Sequence, residues 1–118
     1  MSSDLKKYLK EVDAVLVSSW GNITYLTGFS GFSQTERECL LIVTRNKQYL
    51  ITDGRYSEAV KEQVSNFEVI DIGVSKFLNK EHSNILKKIR IKSLGIEEND
   101  LTVSEYRSIK RIVGKTIN

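Results

Sequence analysis

The sequence predicts one α/β domain, a mixed β-sheet of about five to six strands flanked by helices. Short apolar runs rich in Val, Ile and Leu alternate with segments whose apolar residues recur at helical spacing. Two of the runs are separated only by residues 45–47, a connection that permits an antiparallel hairpin but no crossover. The 118 residues include no Pro and only seven scattered Gly, so we find no linker between domains. A hairpin within otherwise alternating strands and helices predicts a mixed sheet.

The first part of the chain predicts a helix, a strand and a second, short helix. The first helix follows Ser3, a suitable N-cap, and its apolar residues are Leu5, Tyr8, Leu9 and Val12. Residues 14–18 form an apolar run typical of a buried strand. The short helix ends at Gly28 and carries Ile23, Leu26 and Tyr25 on one side. A polar loop over residues 29–37 follows.

The middle of the chain predicts the hairpin and a strand-to-helix junction. Residues 38–44 and 48–52 are its two strands. Asp53 then caps a helix, and Gly54 relieves the turn. The apolar face of this helix consists of Tyr56, Ala59, Val60 and Val64.

The last part predicts two further strands and two further helices. Residues 67–72 and 93–96 form the strands. Ser75 opens a long helix whose apolar stripe comprises Leu78, His82, Ile85, Leu86 and Ile89. Thr102 and Glu105 have capping-box spacing, and apolar residues follow at helical spacing: Tyr106, Ile109, Ile112 and Val113.

Composition predicts a cytoplasmic protein without a membrane span. Hydrophobic residues make up 40% and charged residues 28%, as in soluble globular proteins. The apolar runs are far shorter than a transmembrane helix, and the first residues lack the apolar segment of a signal peptide. The single cysteine, Cys39, lies in an apolar strand and fits a reducing compartment.

The net charge of +3 comes from basic residues late in the chain. They are Lys87, Lys88, Arg90, Lys92, Arg107, Lys110, Arg111 and Lys115. Nucleic-acid binding is one interpretation, but no aromatic residues interleave with these charges as a stacking platform requires. We interpret them as two solvated helix faces and predict no nucleic-acid partner.

The residues predict neither a catalytic site nor a metal site in this chain. The one histidine, His82, lies on the apolar stripe of a predicted helix, where packing is its expected role. Residues 28–32 resemble a nucleophile elbow only in part, because Phe32 stands at the last glycine position. One His and one Cys cannot supply a zinc site. Glu97, Glu98 and Asp100 are expected to form a solvated loop.

Two regions remain as candidate functional segments. The loop at residues 30–37 carries Phe32, Gln34, Glu36 and Arg37, with Phe32 expected to be exposed. It could contact a peptide substrate, since Arg binds carboxylates through two hydrogen bonds, or it could be a surface turn with a helpful charge pair. The second segment comprises Asp53, Gly54, Arg55 and Tyr56. Here a structural role is expected, with Arg55 paired to Asp53 or Glu58.

Two motifs carry a family resemblance. Residues 22–29 read N-I-T-Y-L-T-G-F, and residues 52–56 read T-D-G-R-Y. With the hairpin between them and L-G-I-E-E at residues 94–98, they resemble the amino-terminal domain of the creatinase/prolidase/Xaa-Pro aminopeptidase family. The resemblance spans nearly the whole chain. It implies structural roles for eight motif residues: Asn22, Tyr25, Gly28, Phe29, Asp53, Gly54, Arg55 and Tyr56.

The resemblance also implies a division of labour. In this family a ribonuclease H-like domain precedes a pita-bread domain, which holds two metal ions (Mn, Co or Zn) and cleaves Xaa-Pro peptides. A loop of the first domain reaches the active site of a dimer partner, often with an acidic or His residue before Glu-Arg. Glu36 and Arg37 match the last two positions, but Gln34 and Thr35 depart from the pattern, as does Thr24, where Arg is frequent.

The resulting prediction is a non-catalytic domain, residues 1–118, of a metal-dependent Xaa-Pro peptidase, with no catalytic domain in this chain. It would support homodimerisation and shape substrate access to the metal site of the catalytic domain. The alternative is a stand-alone interaction or scaffolding module of the same fold.

Overall fold

The computed structural model describes residues 3–73, 88, 90–112 and 115–117. The helices are α1 (Ser3–Tyr8), α2 (Trp20–Thr27), α3 (Ser57–Gln63) and α4 (Val103–Ile112). The strands are β1 (Ala14–Val17), β2 (Cys39–Thr44), β3 (Gln48–Thr52), β4 (Glu68–Asp71), β5 (Ser93–Gly95) and β6 (Lys115–Ile117). The predicted helix that begins at Ser75, with His82, lies outside the described residues.

Within the described residues, one six-stranded sheet organises the domain, in the order β4-β3-β2-β1-β5-β6. β2 is antiparallel to both β1 and β3, whereas β5 is parallel to β1 and β6, and β4 is parallel to β3. This confirms the predicted mixed sheet and the hairpin. β6 was not predicted, because a three-residue strand has little signal of its own and is defined by its pairing with β5.

Apolar side chains on both faces of the sheet are buried, which explains the uninterrupted apolar runs of the central strands. On one face, residues of β1, β2 and β3 pack with α1, α2 and α3; this cluster includes Val15, Val17, Leu41, Val43 and Leu50. On the other face, Ile109 of α4 packs with a second cluster that includes Ala14, Leu16, Leu40, Ile42 and Leu94. The buried stripe of the first helix omits Tyr8, which is 52% exposed.

Candidate functional site

The two candidate segments meet at one end of the sheet. The loop at residues 30–37 leads into β2, and the turn at residues 53–56 leaves β3. Because β2 and β3 are antiparallel, with Cys39 paired to Thr52, the residues just before β2 and just after β3 become neighbours. β1 and β5, which run parallel to each other, also terminate at this end of the sheet.

Helix α2 delivers the chain to the loop through a glycine cap. Gly28 adopts a left-handed φ of 76°, and its N–H donates to the carbonyl of Thr24 at 2.8 Å. This confirms the predicted end of the helix. Tyr25 does not lie on the buried side as expected: it is 78% exposed, whereas Ile23 is 3% exposed.

The start of α2 is held by Glu97, which was predicted to be solvated. Its carboxylate accepts hydrogen bonds from the backbone N–H groups of Ser18 and Ser19, both at 2.7 Å, and from the side chain of Asn22. Burial alone would raise the pKa of Glu97, but these hydrogen bonds lower it overall. An anion at a helix N-terminus is also favoured by the helix dipole. Asn22 in the first motif therefore has a structural partner 75 residues away.

Phe32 anchors the loop in the core instead of lying exposed. It is 6% exposed, and its ring centroid is 4.9 Å from that of Phe29 and 5.0 Å from that of Tyr56. The indole Nε1–H of Trp20 donates to the Phe32 carbonyl at 2.9 Å. The expected exposure was wrong because aromatic burial outweighs the polar character of the surrounding loop.

The tip of the loop is defined here as residues 34–36. Gln34, Thr35 and Glu36 are all exposed. Their backbone is ordered by Ser33, whose Oγ accepts hydrogen bonds from the N–H groups of Thr35 at 3.2 Å and Glu36 at 3.1 Å. The tip therefore presents three polar side chains on a defined turn.

Arg37 closes the loop and is fully engaged within the domain. Its guanidinium donates to Asp100 Oδ2 at 2.7 Å, to both oxygens of Glu105 at 2.9 and 3.0 Å, and to the carbonyl of Ser18 at 2.7 Å. Burial alone would lower the pKa of Arg37, but the two carboxylates raise it overall. Neither sequence interpretation foresaw this arrangement, in which Arg37 pairs with Asp100 and Glu105 and no donor is left for a substrate.

The turn at residues 53–56 forms a second ionic group. The Asp53 carboxylate accepts from the backbone N–H of Arg55 at 2.9 Å and from its guanidinium at 2.7 Å, and these bonds lower the pKa of Asp53. The prediction that Asp53 caps a helix was wrong, because α3 begins at Ser57 and the preceding Tyr56 makes no side-chain cap bond. Arg55 pairs with Asp53, as expected, and with Glu38 at 3.1 Å.

The structure shows no steric reason for a glycine at position 54. A Cβ added there would lie 3.6 Å from the nearest oxygen of Asp71, an ordinary contact, and its φ is not left-handed. The predicted relief of the turn by glycine is therefore not supported.

A cavity of about 350 Å³ lies beneath the loop. Its lining joins the loop to the ends of β1 and α4 and includes Trp20, Gln34, Glu36, Asp100 and Thr102.

The described residues contain no group of three or more His, Cys, Asp or Glu arranged to hold a metal ion. Burial raises the pKa of the nearby Cys39 thiol well above its usual range, so it is a poor nucleophile. No described helix has the length and apolar character needed to cross a membrane.

Comparison with known proteins places this geometry in a family. The family model of the creatinase/prolidase N-terminal domain matches residues 5–118. The uncharacterized peptidase YqhT of Bacillus subtilis (strain 168) is 34% identical over 102 residues, which are 86% of this chain and 27% of the relative. This chain thus spans little more than a quarter of the relative's length.

Two solved structures share the fold. The Xaa-Pro dipeptidase from Bacillus anthracis superposes with a TM-score of 0.79 at 23% identity, over 96% of this chain and 31% of that chain. An Xaa-Pro aminopeptidase structure from Streptococcus pyogenes has a TM-score of 0.72 at 28% identity, over 99% of this chain and 92% of that chain. With the family match over nearly its whole length, the chain belongs to the creatinase/prolidase N-terminal domain family.

Proposed function

We propose that this chain is the non-catalytic N-terminal domain of a metal-dependent Xaa-Pro peptidase, and that its loop tip restricts access to the metal site of a separate catalytic domain. The two solved structures above are named as an Xaa-Pro dipeptidase and an Xaa-Pro aminopeptidase, and the chain covers less than a third of the B. anthracis dipeptidase chain. The described residues contain no group of His, Cys, Asp or Glu that could hold a metal ion. The proposal assigns the metal pair, Mn, Co or Zn, to the catalytic domain.

The observation that carries the proposal is the contrast between the tip and its two ends. Phe32 is buried on one side of the tip and Arg37 is bound to two carboxylates on the other, while Gln34, Thr35 and Glu36 remain exposed. A short loop tip whose two ends are fixed can exclude long substrates without a large loss of conformational entropy at each binding event.

The proposal includes a homodimer in which the tip approaches the catalytic domain of the partner. Tyr25, a member of the first motif, is 78% exposed, and large aromatic side chains are enriched at protein interfaces. The expected cytoplasmic location is supported by the unpaired thiol of Cys39. Xaa-Pro peptides are the proposed substrates of the complete protein.

A domain exchange tests the access role. This chain replaces the matched N-terminal region of the B. anthracis dipeptidase, and the chimera is assayed with an Xaa-Pro dipeptide and with a pentapeptide that begins Xaa-Pro. Replacing Gln34, Thr35 and Glu36 together by Ala should raise the turnover of the pentapeptide relative to the dipeptide, roughly tenfold. Unchanged discrimination would refute the access role.

The control variant carries Asn46→Ala and Lys47→Ala, two exposed changes in the hairpin turn at the opposite end of β2. It should discriminate between the peptides as the unmodified chimera does.

The chain alone, with Mn²⁺ or Co²⁺ added, should turn over no Xaa-Pro dipeptide. A chimera that folds but forms no dimer and shows no dependence on the tip would favour the alternative, a stand-alone interaction module.

A further inference from the structure

Glu38 is a buried carboxylate between the two candidate segments. It follows the loop, immediately precedes β2 and is 4% exposed. Taking a carboxylate out of water is costly unless hydrogen-bond donors or a cation replace the lost water. The groups that contact the Glu38 carboxylate should therefore indicate its structural role.

Three partners converge on this carboxylate from two segments of the chain. Oε1 accepts a hydrogen bond from the backbone N–H of Ser33 at the base of the tip. Oε2 accepts a hydrogen bond from the hydroxyl of Tyr56 at 2.9 Å and forms an ion pair with a terminal guanidinium nitrogen of Arg55 at 3.1 Å. The hydrogen bond to Glu38 also raises the pKa of Tyr56, which keeps its hydroxyl a donor.

The turn that supplies two of these partners is itself fixed. Asp53 binds the backbone and the guanidinium of Arg55, and the guanidinium carbon lies 5.2 Å from the ring centroid of Tyr56. The carbonyl of Glu38 accepts the hydroxyl of Thr52 at 2.8 Å, which joins the residue to the end of β3. Glu38 is thus held to the hairpin through its backbone and to the turn through its side chain.

We propose that Glu38 is a positioning residue that couples Ser33 to the turn at residues 53–56 and thereby fixes the orientation of the loop tip. The effect of this coupling on substrate access rests on the proposed function. The coupling itself is argued from the contacts of Glu38 alone. A carboxylate is required because its partners are two hydrogen-bond donors and a cation, and an amide would direct its own NH₂ group at one of them.

Backbone amide hydrogen exchange of the isolated chain tests the coupling. Glu38→Gln should accelerate exchange at Ser33, Thr35 and Glu36 by about tenfold or more, since the loop then opens without unfolding of the domain. Exchange at Leu41 and Leu50 in the hairpin should stay unchanged. Tyr56→Phe, which keeps the ring against Phe32 and removes only the hydroxyl, should give a smaller acceleration at the same amides.

The matched control is Glu62→Gln, the same chemical change at an exposed position of α3. It should leave exchange in the loop as it is. The inference is overturned if Glu38→Gln leaves Ser33 protected, or if loop and hairpin amides accelerate by the same factor, which indicates a general loss of stability.

Activity separates this inference from the proposed function. In the chimera with the B. anthracis dipeptidase, Glu38→Gln should reduce discrimination against the pentapeptide through KM, with kcat for the dipeptide unchanged. A loosened loop with unchanged discrimination would retain Glu38 as the positioning residue and refute the access role. A loop that stays ordered would refute the positioning role whatever the kinetics show.

Discussion

The guanidinium of Arg37 and the carboxylate of Glu105 form two parallel hydrogen bonds, Nε to Oε2 at 3.0 Å and a terminal nitrogen to Oε1 at 2.9 Å. The residues are 68 positions apart in sequence. Glu105 Oε1 also accepts the N–H of Thr102, whose hydroxyl in turn accepts the N–H of Glu105, so the predicted capping box is confirmed. One carboxylate therefore caps α4 and secures the loop.

Loss of Arg37 should be costly to stability. Arg37→Met would leave the partly buried carboxylates of Asp100 and Glu105 without their cation, and we expect the free energy of unfolding to fall by about 2–3 kcal/mol. Urea denaturation of the isolated chain measures this change. A loss below about 0.5 kcal/mol would show that the ion pairs are no stronger than surface pairs.

The control is Arg45→Met at the opposite end of the sheet. Arg45 approaches Asp13 at 3.8 Å, and both side chains are well exposed, 54% and 41%. An exposed pair at this distance contributes little, so we expect a change of about 0.5 kcal/mol or less.

Acid should destabilise the domain through Glu97 and Glu105, whose pKa values are both lowered on folding. A carboxyl with a lowered folded-state pKa contributes stability that is complete above its unfolded pKa of about 4.3 and is lost as pH falls through the folded value. The melting temperature should therefore change little between about pH 7 and 5 and decrease steeply below about pH 4.

Glu97→Gln identifies the source of that pH dependence. The variant should be less stable at neutral pH and should lose less stability on acidification, because one of the titrating groups is gone. A Glu97→Gln curve parallel to that of the unmodified chain would contradict a role for Glu97 in acid sensitivity.

Two aromatic residues of the loop region should differ sharply in their contribution to stability. Phe32→Ala removes a buried ring that contacts Phe29 and Tyr56, and we expect a loss of about 3 kcal/mol. Tyr25→Ala changes a side chain that is 78% exposed, and we expect a loss of about 0.5 kcal/mol or less in the isolated chain. Chemical denaturation of both variants checks the contrast, and equal losses would contradict the burial of Phe32.

The features that were predicted correctly depend on neighbours in sequence. The hairpin follows from two apolar runs and a three-residue connection, and the capping box follows from Thr102 and Glu105. Gly28 ends α2 because only glycine adopts a left-handed φ at little cost. These signals involve residues that are close in sequence, so they can be recognised in a single sequence.

Several of the features that were predicted wrongly depend on partners far along the chain. Glu97 and Asp100 were expected to lie in a solvated loop, but their hydrogen-bond donors lie 75 to 79 and 63 residues away, respectively. Phe32 is buried by Tyr56, whose position follows from the hairpin register. The sequence pattern contains no separate signal for such contacts, because sheet pairing determines which residues meet.

The glycine that ends α2 provides the last test. Gly28→Ala places a Cβ at a φ of 76°, which disfavours the folded state by about 1–2 kcal/mol even though no atom lies within 4 Å of that Cβ. Gly21→Ala, within α2 and equally free of contacts, should instead stabilise the chain by about 0.5 kcal/mol, since alanine loses less entropy in a helix. The two melting temperatures should therefore shift in opposite directions. If the melting temperature of Gly28→Ala did not fall, the backbone conformation of Gly28 would not be the reason for its place in the first motif.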